Sequence, residues 1–305
     1  MNQAELEAFK AQMRANMAER RASSAPLAEQ RMQFDANVKD IPLPEGVRVE
    51  ALPAGSPPGE KLVPSDALPG CAFLYFHGGG FYTGSTRSHR HLVARLAAAA
   101  RLTTYSMDYR LAPENRFPAA VEDARAAYRW LLGQGQAAGR LVVGGDSAGG
   151  NLALGVALWA REEQVPLPGG LYLVSPWLDL AQTRASYEVR EHADPIFIRE
   201  GVTKGAQLYL QGTSASDPWA SPVHADPTGL PRTLIQVGTD EILLSDSLDF
   251  ASKAALAGVG VRLDVWAQMM HVWLYQHRVL PEGRRAILEA GAWLRETVAE
   301  PQNTV

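Results

Sequence analysis

Val142-Val143-Gly144-Gly145-Asp146-Ser147-Ala148-Gly149-Gly150-Asn151 decides how the rest of the chain reads. The apolar run Leu141 to Val143 is a short buried strand. Asn151 to Trp159 is rich in good helix formers and reads as a buried helix. Gly145 and Gly149 bracket Ser147 between them. Strand, tight turn, serine, helix is the geometry of a nucleophile elbow. A side chain at either glycine would clash in so sharp a turn, and the serine backbone itself is strained. The turn lifts the hydroxyl out at the carboxyl edge of a sheet and aims the next amides, at a helix start, toward the same point. A bare Gly-x-Ser-x-Gly arises by chance in roughly one chain in ten of this length. Its placement and the motifs around it therefore carry the weight.

The chain has 305 residues, 46% of them hydrophobic and 20% charged, enough for one large α/β domain plus an appendage. A net charge of −4 and the lack of a basic stripe argue against nucleic-acid binding. The single cysteine, Cys71, allows no intrachain disulfide and reads as a small buried hydrophobe. Met1 to Arg21 is studded with Glu, Lys and Arg, unlike a signal peptide, and no apolar stretch approaches membrane-spanning length. The expectation is a soluble cytoplasmic protein with no nucleic-acid or membrane partner.

Residues 4 to 20 carry Leu6, Phe9, Met13 and Met17 at helical spacing, a helix that either docks on the body or forms part of a lid. Val47 to Leu52 alternates as a half-exposed strand, with Lys61 to Pro64 as its return, an antiparallel edge. Ala72 to Phe76, Thr103 to Asp108, Leu171 to Pro176 and Thr233 to Gly238 are further strands, and Val261 to Val265 alternates as the last. Helices are predicted over Arg90 to Ala100, Pro118 to Leu132, Ile242 to Ala257 and Gly283 to Val298. About eight strands alternating with helices argue for an α/β fold, a mostly parallel sheet covered on both faces. In such sheets functional groups gather at the carboxyl ends of strands.

A serine hydroxyl is a poor nucleophile at neutral pH. It needs a base, and the base needs an acid to fix its tautomer and stabilise its charged form. His271, just past the last strand in Gln268-Met269-Met270-His271-Val272-Trp273, is the candidate base. The candidate acid is Asp240, nearest the strand end in Gly238-Thr239-Asp240-Glu241; Glu241 is its close competitor, and a helix cap is the plain alternative for Asp240. After strand 72–76 comes His77-Gly78-Gly79-Gly80. Consecutive glycines let backbone amides approach a substrate oxygen with no side chain in the way. Gly78, Gly79 and Ala148 are the candidate oxyanion donors, and His77 orients the loop. His89, His91, His192, His224 and His277 take no site role, and no metal set is evident.

The chain resembles the hormone-sensitive-lipase-like family of bacterial esterases. The matching residues are His77 to Gly80, Asp108 to Glu114, Phe117 to Ala120, Gly145 to Leu152, Asp240 and His271, in order over roughly residues 70 to 290. The resemblance implies an α/β-hydrolase fold with a helical cap made of residues 1–45 and 178–228 on a core of 46–177 and 229–305. It implies hydrolysis of short-chain carboxylic esters without a cofactor, in a family that often dimerises. Two departures stand out: Val272 where the family usually has Gly after the catalytic His, and Glu241 where the acid is commonly followed by Pro. Both could reshape the pocket beside His271.

The substrate is less legible. Phe81, Tyr82, Trp177, Trp219 and Trp273, with Asp146, are candidates to line an apolar pocket, packing of cap on body being the plain alternative for the aromatics. A bulky apolar site with Trp273 would suit a terpenoid-like lactone as the rival to a linear ester. Plant gibberellin receptors resemble the family but lack the catalytic His; His271 separates this chain from such a binding protein.

Overall fold

A computed structural model of the chain describes residues 1–299. The eight strands are β1 (Val47–Ala51), β2 (Gly59–Pro64), β3 (Ala72–Phe76), β4 (Thr103–Met107), β5 (Leu141–Asp146), β6 (Gly170–Val174), β7 (Thr233–Gly238) and β8 (Val261–Trp266). They form one sheet in the order β1-β2-β4-β3-β5-β6-β7-β8. β1 and β2 pair antiparallel, as does β2 with β4, and every later pairing is parallel. This is the α/β-hydrolase fold.

The period-two alternation of strands explains why both faces of the centre are buried. In β3, Ala72, Leu74 and Phe76 enter one core cluster while Phe73 and Tyr75 enter the other. In β5, Leu141 and Val143 part from Val142 in the same way. Helices α4 (Ala119–Gly133), α5 (Ala148–Glu162) and α8 (Leu244–Leu256) cover the first face. Helices α3 (Thr86–Ala100) and α9 (Pro281–Ala299) cover the second. β8 is one edge of the sheet and is mostly half-exposed, with Val265 open to solvent although it shares the register of Val261 and Leu263.

Three differences from the sequence reading have local causes. Helix α3 starts at Thr86 rather than Arg90, because Ser85 makes a reciprocal cap with Ser88; His89 and His91 therefore lie inside it. The amino terminus holds two helices, α1 (Gln3–Ala22) and a second, α2 (Leu27–Ala36), that carries little apolar periodicity. The insertion after β6, where the sequence predicts no individual element, contains α6 (Ser186–Val189) and α7 (Arg199–Leu210). Arg14 and Arg21 of α1 donate to the carbonyls of Ala193 and Ile196, so the amino-terminal helix is tied to that insertion. No helix among the described residues is long and apolar enough to cross a membrane.

Candidate active site

Ser147 sits on the turn from β5 to α5 with φ 54° and ψ −120°, a region that costs an L-residue energy and persists only when its surroundings impose it. They do. The Ser147 amide donates to Val174, the last residue of the neighbouring strand β6, and its carbonyl accepts from Trp177, three residues beyond it. A Cβ at Gly145 or Gly149 would land on the Phe76 carbonyl, so the close crossing of α5 over β3 requires glycine at both. Ser147 is only 5% exposed.

His271 lies on the loop after β8 and is also nearly buried. Its Nδ1 lies 2.9 Å from Glu241 Oε2, so the acid beside it is Glu241 and not Asp240. A carboxylate only accepts, so Nδ1 carries the proton and Nε2 is left as an acceptor. Glu241 is fully buried and its other oxygen takes the Gly238 amide at 2.7 Å and the Ser175 hydroxyl at 2.8 Å. Asp240 faces the other way: its carboxylate meets Lys10 of α1 at 2.7 Å and the Thr239 hydroxyl at 3.0 Å. The reason lies in the backbone. The Asp240 amide donates to the Met269 carbonyl, which fixes the chain two residues beyond β7, and the next side chain leaves on another side. The longer Glu241 then folds back under the His271 ring.

Val272 occupies the left-handed region, φ 47° and ψ 47°, which is costly for a β-branched residue at roughly 1–2 kcal/mol. Its amide donates to Ser175 Oγ, the hydroxyl that also binds Glu241. The position therefore calls for the backbone that glycine adopts freely, and here a hydrogen bond and a buried side chain hold valine in it.

The glycine loop is held from beneath. Asp146 Oδ1 accepts the Tyr75 hydroxyl at 2.6 Å and the Gly78 amide at 3.0 Å, and Oδ2 lies 3.5 Å from His89 Nε2. Burial pushes the Asp146 carboxyl up, but His89 and Tyr75 outweigh it and hold the group below the ordinary carboxylate range. Gly78 is thus an anchor, its N–H already used, and not a free oxyanion donor. The amides of Gly79, Gly80 and Ala148 have no hydrogen-bond partner among the described residues. Gly79 and Gly80 have φ of 118° and 63°, which turns the loop over the serine edge. His77 stacks on Tyr109, ring centroids 4.4 Å apart, with Nδ1 2.7 Å from the Gly78 carbonyl, as expected of a residue that orients the loop.

Asp146→Ala strands the buried Tyr75 hydroxyl and Gly78 amide, at about 1–3 kcal/mol each. The expected result is a fall in the urea midpoint together with a drop of about 10²-fold in ester turnover as the loop drifts. Unchanged turnover in a folded variant would contradict the anchoring role.

The aromatic candidates divide. Phe81 is fully buried, stacked on Tyr209 with centroids 3.9 Å apart. Trp177 is buried in the same core, and Trp273 is fully buried against Trp266. Trp219 lies under the Arg125 guanidinium, 4.3 Å from its ring centre. Phe81, Trp177 and Trp273 pack in the core rather than line an open cavity, because large apolar rings gain most from full burial. Asp146, too, is spent on the loop. Tyr82, like Trp219, is only partly buried, and its ring lies beside Gly80 and Gly205 of α7. Trp273, in the core, offers no wall to a terpenoid-like lactone. Two surface clefts of about 570 and 490 Å³ have none of Ser147, Glu241 and His271 in their linings.

Burial also governs histidines around the site. It depresses His77 to about 4, with the His89 charge adding to it. It takes His91 to about 3, with His277 adding, and His277 to about 4, with Arg95 and Arg278 adding. Groups with pKa lowered on folding bind more protons when unfolded, so stability falls with pH from about 6.5 toward 4. Asp194, lifted by burial to about 6, works in the opposite sense over its own range and offsets part of this. The urea midpoint is expected to be level above pH 7 and to fall between pH 6.5 and 4. A midpoint that stays level to pH 4 would contradict these burials.

The family follows from comparison. A family model described as alpha/beta hydrolase fold matches residues 73–275. An acetyl-hydrolase of Streptomyces hygroscopicus is 46% identical over 231 residues, 76% of this chain and 77% of that protein. A putative acetyl-hydrolase, LipR, of Mycobacterium tuberculosis is 33% identical over 261 residues, 85% of this chain and 84% of that one. The structure of an esterase from the bacterial hormone-sensitive lipase family superposes with a TM-score of 0.91 at 38% identity, covering 98% of this chain and 99% of that one. The chain belongs to the α/β-hydrolase family, within its hormone-sensitive-lipase-like branch of bacterial esterases.

Sequence reasoning ranked Glu241 second and passed over Gly80. Proximity to a strand end says which residues reach the site, not which way each one points.

Proposed function

We propose that this chain hydrolyses short-chain carboxylic esters through an acyl-enzyme on Ser147. His271 Nε2 takes the hydroxyl proton as Ser147 Oγ attacks the ester carbonyl, then gives it to the departing alkoxide. A water repeats the sequence on the acyl-enzyme, releasing the acid and restoring the serine. Glu241 holds the imidazole and stabilises its charged form. Gly79, Gly80 and Ala148 donate to the oxyanion, each donor worth about 3–4 kcal/mol in the transition state. The observation that carries this reading is the buried His271–Glu241 hydrogen bond of 2.9 Å at the serine's end of the sheet.

Residues 1–45 and 178–228 act as the cap. The hydrogen bonds from Arg14 and Arg21 to the insertion support treating them as one unit. A small acyl pocket is supported by the near-burial of Ser147 and His271 and by the Tyr82 ring crowding Gly80 and Gly205. Among relatives, the crystal structure of EstE5 was obtained after soaking with p-nitrophenyl butyrate; it superposes with a TM-score of 0.89 at 39% identity, covering 97% of this chain and 99% of that one. In a p-nitrophenyl ester series, kcat/KM is expected to peak at acetate to hexanoate. A maximum at palmitate would refute the small pocket.

A further inference from the structure

The insertion after β6 reaches the proton-transfer pair through one side chain. Asp194 is 4% exposed and its carboxylate is fully engaged. Oδ1 accepts the amides of Ile196 and Phe197 at 2.8 and 2.9 Å, which fixes the local turn. Oδ2 reaches out of the insertion to the amide of Ile242 at 2.9 Å. Ile242 directly follows Glu241. Phe197, whose backbone the same carboxylate holds, stands edge-on to the His271 ring with centroids 4.7 Å apart and planes at 65°.

Glu241 and His271 come from different loops, after β7 and after β8, and efficient proton transfer needs them in register. Ser175 Oγ braces the two from the sheet side by binding Glu241 and the Val272 amide. Asp194 braces them from the insertion. We propose that Asp194 is a positioning residue for the general base, a carboxylate of the insertion that locks the Ile242 amide and the Phe197 ring around the Glu241–His271 pair. The insertion must then be seated for proton transfer to run at full rate. This rests on the reading of Glu241 and His271 given above.

The electrostatics agree with the geometry. Burial raises Asp194 to about 6, while its three backbone donors and the His271 charge pull it back. The other charged groups around it are known: Glu241 and His271 in front, the Lys10–Asp240 pair behind the acid loop, and Arg14 and Arg21 on the carbonyls of Ala193 and Ile196. When His271 takes the proton, an ionised Asp194 is a second negative charge near it.

Asp194→Asn, Asp194→Ala and Phe197→Leu test this, assayed on p-nitrophenyl acetate and butyrate beside wild type and Ser147→Ala. Asp194→Ala is expected to lose about 30- to 100-fold in kcat with KM within about threefold, since a misplaced base costs rate rather than binding. Asp194→Asn keeps one acceptor oxygen and is expected to lose about tenfold. Its acid limb of kcat/KM should move to lower pH, because a negative charge near the imidazolium is gone. Phe197→Leu should lower kcat without moving that limb, and it remains informative if Asp194→Ala fails to fold. Turnover of the folded Asn variant within twofold of wild type, with the limb unmoved, would overturn the proposal. So would a loss carried wholly by KM. If Ser147→Ala itself retains turnover, the active-site reading fails instead.

Discussion

Glu241→Gln is expected to lower kcat by about 10⁴-fold while Asp240→Asn changes it by less than about tenfold. Glutamine keeps the shape of Glu241, but its carboxamide can present an N–H to His271 Nδ1. That favours the tautomer with the proton on Nε2, which cannot take the serine proton, and the imidazolium loses its counter-charge. The buried surroundings sharpen the effect: Glu241 has no exposed surface, so no solvent replaces the lost charge. Asp240 makes no such contact. Its partner is Lys10, and the cost of neutralising it falls on the seating of α1. Steady-state kinetics on p-nitrophenyl butyrate with both variants decides between them. The reverse order of effects would restore the acid nearest the strand end.

Ser147→Ala is expected to lose at least about 10⁵-fold, leaving only what binding and the oxyanion amides contribute. The fold should survive. Ser147 is a small residue whose side chain makes no cap bond to α5, and its strained φ of 54° is held by neighbouring backbone, not by its side chain. The urea midpoint should therefore move little, within about 1 kcal/mol of wild type. A large loss of stability would mean that the elbow depends on the side chain.

The fold was legible because its signals are local and redundant. The strands around the elbow are continuous apolar runs, the sequences of the edge strands β1 and β8 alternate, and the order of strands and helices placed them in a covered sheet. Ser147, His271 and the glycine loop stood out as candidates because each follows the end of a strand. The choice between Asp240 and Glu241 was not, since it turns on one backbone bond, Asp240 to Met269, made across two strand ends. The role of Gly78 was hidden for a similar reason: Asp146 claims its amide from a strand 68 residues away. The aromatic residues misled because composition marks a large apolar ring without saying whether it faces a cavity or a core. Asp194 and Phe197 carried no signal at all; only the packing of the insertion on His271 reveals them.

Labelling with a fluorophosphonate probe, read by intact-mass and peptide mass spectrometry, bears most directly on the nucleophile. One adduct per chain is expected, on the peptide containing Ser147, with none on Ser147→Ala and slow formation on Glu241→Gln. A folded wild-type protein that takes no label, or takes it at another residue, would contradict the assignment of Ser147, His271 and Glu241 as a working unit.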